Sequence, residues 1–290
     1  MNHTGEITVV NGISLIECTS CQFVHQVEHT ITNYSQEYMD NSKQLNFLKT
    51  LKEDKKWWNE VVYPDIFETI ESYLNVEQRR LLDVGAGWLH HSQYAAKNGW
   101  NVVALDPALQ SYNKAQDLKI PFYRGNFDKN ALHLGIFDAI MLYEVVEHLS
   151  NPYDLLKQAH LQLEENGLLF VSVPNDFNPL QQFDADNFWW VYPEHINYFT
   201  PESISKLLNK AGFDVLDIYS SFPMELFLLM GIDYTDNGKK GRKAHKMRKN
   251  LELNMKKMGL DHKDLQRFFY KLGWGRDLFI YARKSNEDSL

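Results

Sequence analysis

Between Leu81 and Asn175, short apolar runs alternate with amphipathic stretches, a rhythm that predicts βαβ units and a parallel sheet. Five runs read as buried strands: LLDVG (81–85), NVVALD (101–106), PFYRG (121–125), DAIMLY (138–143) and LLFVSV (168–173). Asn151 followed by Pro152 predicts a helix over 152–165, because an Asn side chain caps free N–H groups and proline lacks the donor that a first turn leaves unused. Thr200-Pro201-Glu202-Ser203 predicts a second start, with Ile204, Leu207, Leu208 and Ala211 at helical spacing before Gly212. FDVLDIY (213–219) and LFIYARK (278–284) bring the strands to seven. The expected fold class is therefore α/β, a doubly wound, mostly parallel seven-stranded sheet of Rossmann-like type.

The remaining segments divide the chain. Residues 1–42 form a small segment containing Cys and His, and 43–78 a helical cover with a break at Pro64, placed over a sheet edge or a ligand mouth. Residues 79–221 are the core, 222–277 a helical insertion, and 278–290 the last strand and tail. The irregular aromatic stretch 176–200 reads as a substrate loop. In the insertion, Ala244, Met247, Leu251, Met255 and Met258 make an apolar stripe, expected to pack inward so that the insertion covers the ligand side as a lid.

Charge changes the picture in one place. The net charge of −8 argues against a nucleic-acid coat protein, yet residues 239–257 hold nine Lys or Arg and one Glu. That local excess points to an anionic partner. No apolar run approaches the roughly 18 residues of a membrane span, and the first residues lack a secretory pattern, so a cytoplasmic protein with no membrane partner is expected. Cys18 and Cys21 are too few for a disulfide scaffold. With His25 and His29 they offer a tetrahedral zinc set, but a second C-x-x-C is absent, so the spacing favours a metal-free segment and no metal is assigned.

The sharpest local signal is Leu81-Leu82-Asp83-Val84-Gly85-Ala86-Gly87, an apolar strand ending in an acid and two glycines. Glycines permit a tight turn and close approach of backbone N–H groups to a ligand, while Asp83 can hold an ammonium group. The next strand ends at Asp106, where a carboxylate can accept both hydroxyls of a ribose. His90 stands where a dinucleotide fingerprint needs its third glycine, which counts against NAD binding.

This motif pair resembles that of class I S-adenosylmethionine-dependent methyltransferases, with Leu89 in place of the family's third glycine. The resemblance continues through Gly125-Asn126-Phe127 and FDAIMLYEVVEHL (137–149), and it implies cofactor contacts from Asp83, Gly85, Gly87, Asp106, Asn126, Phe127, Tyr143 and Glu144. EHINYFTPESISKLLNKAGF (194–213) is similar to the small-molecule and sugar methyltransferases of bacterial surface-carbohydrate pathways, and the Cys18–Cys21 segment to a half-knuckle at the start of several sugar enzymes. The implied reaction is methyl transfer to an oxygen or nitrogen of a small, anionic carbohydrate or related metabolite. Such an acceptor must lose a proton, and His148 and His195 are the candidate bases, against bland readings as a capping and a turn-ordering histidine. Trp189, Trp190 and Tyr198 are candidates for stacking on sugar faces. Two other readings stay open: an RNA or protein methyltransferase docking through 239–257, and a cofactor-binding scaffold without catalysis.

Overall fold

The computed structural model describes residues 3–29, 42–74, 79–182, 191, 193–235 and 238–285. The chain opens with three antiparallel strands, β1 (Gly5–Val10), β2 (Ile13–Cys18) and β3 (Phe23–Gln26). Helix α1 (Ser42–Glu53), the short α2 (Lys55–Trp57), a π-helical turn (Trp58–Val62) and α3 (Tyr63–Tyr73) follow. Pro64 does not break this cover. Val62 and Tyr63 keep helical dihedrals, and the widened turn lies next to the proline, where a missing N–H and a ring clash would otherwise disrupt a regular ladder.

The core then runs β4 (Arg80–Val84), α4 (His90–Lys97), β5 (Asn101–Leu105), α5 (Leu109–Leu118), β6 (Phe122–Tyr123), β7 (Phe137–Tyr143), α6 (Pro152–Gln162), β8 (Leu163–Pro174), the short α7 (Pro179–Gln182), β9 (Asn197–Tyr198), α8 (Pro201–Lys210) and β10 (Phe213–Ser220). The short α9 (Leu226–Leu229), α10 (Gly238–Lys257), α11 (His262–Lys271) and β11 (Asp277–Lys284) complete it. Seven strands form the expected sheet in the order β10-β11-β8-β7-β4-β5-β6, parallel except at β11, which runs against both neighbours. Both faces are covered, so alternate residues serve two cores: Leu82, Val84, Ile140 and Leu142 on one side, Leu81, Ala139 and Met141 on the other. Asn151 caps α6 as expected, and Thr200 with Ser203 closes a capping box on α8. Helix α6 ends at Gln162, earlier than its apolar spacing suggests, because β8 begins at Leu163 and pairs with Phe137.

Two features depart from expectation. First, β9 leaves the core to extend the N-terminal sheet, in the order β1-β2-β3-β9, which ties β3 to the segment after β8. Tyr198 is thereby buried among Val10, Leu15 and Val191, with no open face for stacking. Second, the apolar stripe of α10 faces outward: Met247 and Leu251 are each 43% exposed and Met258 73%, and only Ala244 is buried. The inward face is ionic instead. Glu252 is buried and accepts from Trp57 Nε1 and Arg248, Lys249 lies 2.6 Å from Asp54, and Lys256 lies 3.3 Å from Asp65. Helix α10 packs on the π-helical turn, whose surroundings offer carboxylates and an indole rather than an apolar groove. Among the described residues, no helix is long and apolar enough to cross a membrane.

Leu89 occupies the position of the missing glycine with a left-handed backbone (φ 57°) and a fully buried side chain. A left-handed leucine costs about 1–2 kcal/mol, whereas emptying a buried leucine site costs about 2–5 kcal/mol. Leu89→Gly is therefore expected to lower stability by about 1–3 kcal/mol in denaturant unfolding. A more stable variant would show that strain outweighs packing at this turn.

Candidate functional site

The ends of β4, β5 and β7 converge on a cavity of about 720 Å³, within the roughly 300–1,000 Å³ range of small-molecule sites. It lies where β4 sends its neighbours β5 and β7 to opposite sides, the usual ligand position of a doubly wound sheet. Asp83, Gly85, Gly87, Asp106, Asn126, Phe127, Tyr143, Glu144 and His148 all line it. His195 does not, but its ring sits 4.8 Å from that of His148, edge to face.

The glycine turn is built as its sequence demands. Gly85 (φ 70°) and Gly87 (φ 49°) both take left-handed conformations. At Gly85 an added Cβ would meet Val145 Cγ2 at 2.6 Å, whereas at Gly87 nothing lies nearer than 3.9 Å, so the turn leaves open space where a ligand can approach the backbone. The N–H groups of Gly85 and Ala86 donate to Leu105 O at 2.8 and 3.1 Å. Asp106 ties the turn from the other side, accepting from Gly87 N at 2.9 Å and Ala108 N at 2.8 Å. Burial raises its carboxyl above the usual range, and these N–H groups pull the other way.

Asp83 lies deeper, 2% exposed, and accepts a short hydrogen bond from Ser92 Oγ. Burial pushes its carboxyl up to about 7, against the Ser92 bond and with help from the Asp106 charge. Beside it, burial pushes His90 down to about 3 and holds His91 well below the usual imidazole range, so both rings are neutral at pH 7. Neither was legible as a site residue in the sequence. Gln44 and Phe47 of α1 also reach the cavity, which places the helical cover over its mouth.

The opposite wall carries a second group. Glu144 has a left-handed backbone (φ 53°) at the exit of β7. Its carboxylate is open to the cavity yet closely ringed by protein, and that burial, together with Asp277, raises its carboxyl. His148 Nδ1 lies 2.7 Å from Glu194 O. Glu147 is fully buried, its carboxylate has no hydrogen-bond partner, and its Oε1 is 3.8 Å from His148 Nε2. Burial, reinforced by Glu144, raises this carboxyl well above the usual carboxylate range. Glu147, His148 and His195 bring one potential ligand atom each within 4.8 Å of the others, a cluster that depends on a contact between residues 46 or more positions apart. Trp189 and Trp190 lie outside the described residues. In the insertion, no described residue of 222–277 lines the cavity, so the expected outer wall is not formed by α10.

Residues 36–218 match the family model described as a methyltransferase domain, more than half of the chain. The chain belongs to this methyltransferase family. Similar curated relatives include the ubiquinone biosynthesis O-methyltransferases of Histophilus somni strain 2336, 26% identical over 157 residues (47% of this chain and 66% of that one), and of Rickettsia canadensis strain McKiel, 26% identical over 168 residues (53% and 70%). The methyltransferase thus spans about two thirds of the length of these relatives. Among solved structures, an S-adenosylmethionine-dependent methyltransferase from Archaeoglobus fulgidus has a TM-score of 0.52 at 19% identity, covering 82% of this chain and 99% of that one. The plantazolicin methyltransferase BpumL, solved with a triazolic desmethylPZN analog and SAH, has a TM-score of 0.55 at 14% identity, covering 86% and 94%. The protein is a class I S-adenosylmethionine-dependent methyltransferase.

The raised Asp83 carboxyl gives a test of the site's electrostatics. Its folded value, about 7 against an ordinary 3.8, favours the neutral acid in the folded chain. That contribution to stability is complete in acid and is lost as pH rises through about 7. Wild type should therefore lose stability relative to Asp83→Asn by up to about 1.4 kcal/mol per pH unit across this window. Thermal unfolding of both proteins at pH 4.5 and 7.5 checks it, and a constant gap between them would contradict the assignment.

Proposed function

We propose that this methyltransferase methylates a hydroxyl or amine of a small metabolite of carbohydrate type, with His148 taking the acceptor's proton. The observation that carries this reading is the position of His148 on the wall of the cavity that also holds the Asp83, Gly85 and Asp106 constellation. Neutral imidazole has one N–H, and the Glu194 carbonyl holds it at Nδ1, which makes Nε2 the basic nitrogen. His195 packs edge to face on the same ring and fixes its orientation. An acceptor O–H or N–H that donates to Nε2 would pass its proton there while its heavy atom forms the new bond to carbon.

On this reading, Asp83 meets the cofactor's ammonium, the Gly85–Gly87 turn its carboxylate end, Asp106 its ribose, and Asn126 with Phe127 its adenine. Tyr143 and Glu144 line the passage towards the acceptor. The bound cofactor supplies a methyl group on a sulfonium. The protein's part is alignment and proton removal. The names of the curated relatives favour oxygen over nitrogen as the methylated atom, and the similarity of residues 194–213 to sugar enzymes favours a polyhydroxylated acceptor. The expectation of an anionic acceptor loses support, because Lys249 and Lys256 are engaged with Asp54 and Asp65 and the cavity wall carries Asp128, Glu144 and Asp154 against Lys129.

His148→Ala is expected to lower turnover by roughly 10²–10⁴-fold while cofactor affinity stays within about twofold. His195→Ala, acting through the ring of its neighbour, should cost less. Screening sugars and nucleotide sugars for S-adenosylhomocysteine release identifies the acceptor, and its single-turnover rates with both variants check the roles. Full turnover in His148→Ala would overturn the assignment.

A further inference from the structure

The turn between β2 and β3 gathers four side chains that the methyl-transfer site does not use. His3 Nδ1 lies 3.5 Å from Cys18 Sγ and 3.4 Å from Cys21 Sγ, and its ring meets that of His25 edge to face at 4.7 Å. Cys18 ends β2, His25 lies on β3, and Gln22 takes a left-handed backbone (φ 66°) that folds the turn back, with its N–H donating to Cys18 O at 2.8 Å. His29, the fourth member of the set expected from sequence, is elsewhere, with Nε2 2.9 Å from Ser150 Oγ.

Hydrogen bonding does not account for this cluster. Two thiols converge on one imidazole nitrogen, which has a single lone pair to offer. His25 donates from Nδ1 to Gln26 O at 2.8 Å, while its buried Nε2 has no hydrogen-bond partner. One ligand atom from each of the four residues lies within 4.8 Å of the other three. Bonds of about 2.3 Å to sulfur and 2.0–2.1 Å to nitrogen set ligand separations of roughly 3.3–3.8 Å in a tetrahedral zinc site, and the two sulfur to nitrogen distances fall in that range. The surroundings are those of a metal site too: Cys21 N–H points at Cys18 Sγ at 3.4 Å, and the His25 Nδ1–H bond to a carbonyl sets the tautomer that frees Nε2 for a metal.

We propose that His3, Cys18, Cys21 and His25 bind a structural Zn²⁺. Four protein ligands leave no open position, so the ion fastens the chain start to the β2–β3 turn and takes no part in methyl transfer. Its reach extends further. Strand β3 pairs with β9, Gln26 N donates to Ile196 O, and Gln26 Nε2 donates to the carbonyls of Pro193 and His195. The ion thus stiffens the strand that sets His195 against His148, a consequence that rests on the acceptor-side reading above, whereas the metal site itself does not.

The test is metal analysis of the full-length protein, produced with zinc in the medium and purified without chelator. The expected content is about one zinc per chain, and Co²⁺ exchanged into the protein should show the visible bands of a tetrahedral thiolate site. Cys18→Ser and His3→Ala should each lower zinc content at least about fivefold, and His29→Ala should retain it. Should the cysteine variant fail to fold, titrating wild-type thiols with an organomercurial must release zinc in step with thiol loss. Zinc-free protein, a Cys18–Cys21 disulfide in its mass spectrum, or full zinc content in His3→Ala would each overturn the proposal.

Discussion

The architecture of the cavity at the ends of β4 and β5 depends on one carboxylate. Asp106 stands at the end of β5 and accepts from the backbone of Gly87 and of Ala108, so it fixes the glycine turn that follows β4 and the segment that leads into α5. Left-handed backbone at Gly85, Gly87 and Leu89 is intrinsically loose or strained, and this pair of hydrogen bonds, with those from Gly85 and Ala86 to Leu105, holds it in one arrangement. Charge follows from the same geometry. Burial, helped by the neighbouring Asp106 charge, raises the carboxyl of Asp83, and a cationic ligand beside it would favour its ionised form.

What was legible in the sequence was what local physics dictates. Near-continuous apolar runs separated by caps gave seven strands in place, and the pairing of an acid-glycine turn with an acid at the next strand end located the cavity. What was hidden depended on partners distant in sequence. His3 joins Cys18 and Cys21 only because β1 and β2 form a hairpin, which brings residues fifteen and eighteen positions apart together, whereas His29 at a tempting spacing follows β3 away. Glu147 is buried because of distant partners: Ile196 N donates to its carbonyl and Asn197 Nδ2 to those of Val146 and Leu149, so the chain around β9 closes over it.

Helix α10 shows the limit of periodicity as a guide. Its methionine and leucine stripe predicts an inward face, but burial is decided by what the neighbour offers, and here the neighbour offers Asp54, Asp65 and Trp57. Arg248 and Glu252, one turn apart, satisfy each other and the indole while out of water, so the ionic face is the buried one. The insertion thereby braces the helical cover, whose Gln44 and Phe47 form part of the cavity mouth, and it acts on the site through that cover instead of walling the acceptor itself.

Asp106 braces the glycine turn, and its proposed second role is to bind the cofactor. Calorimetric titration of S-adenosylhomocysteine into Asp106→Ala, with unfolding measured alongside, tests it. The expected result is a folded variant whose binding is weaker by about 1–3 kcal/mol, from the lost charge-assisted hydrogen bonds. Wild-type affinity in a folded Asp106→Ala would contradict it.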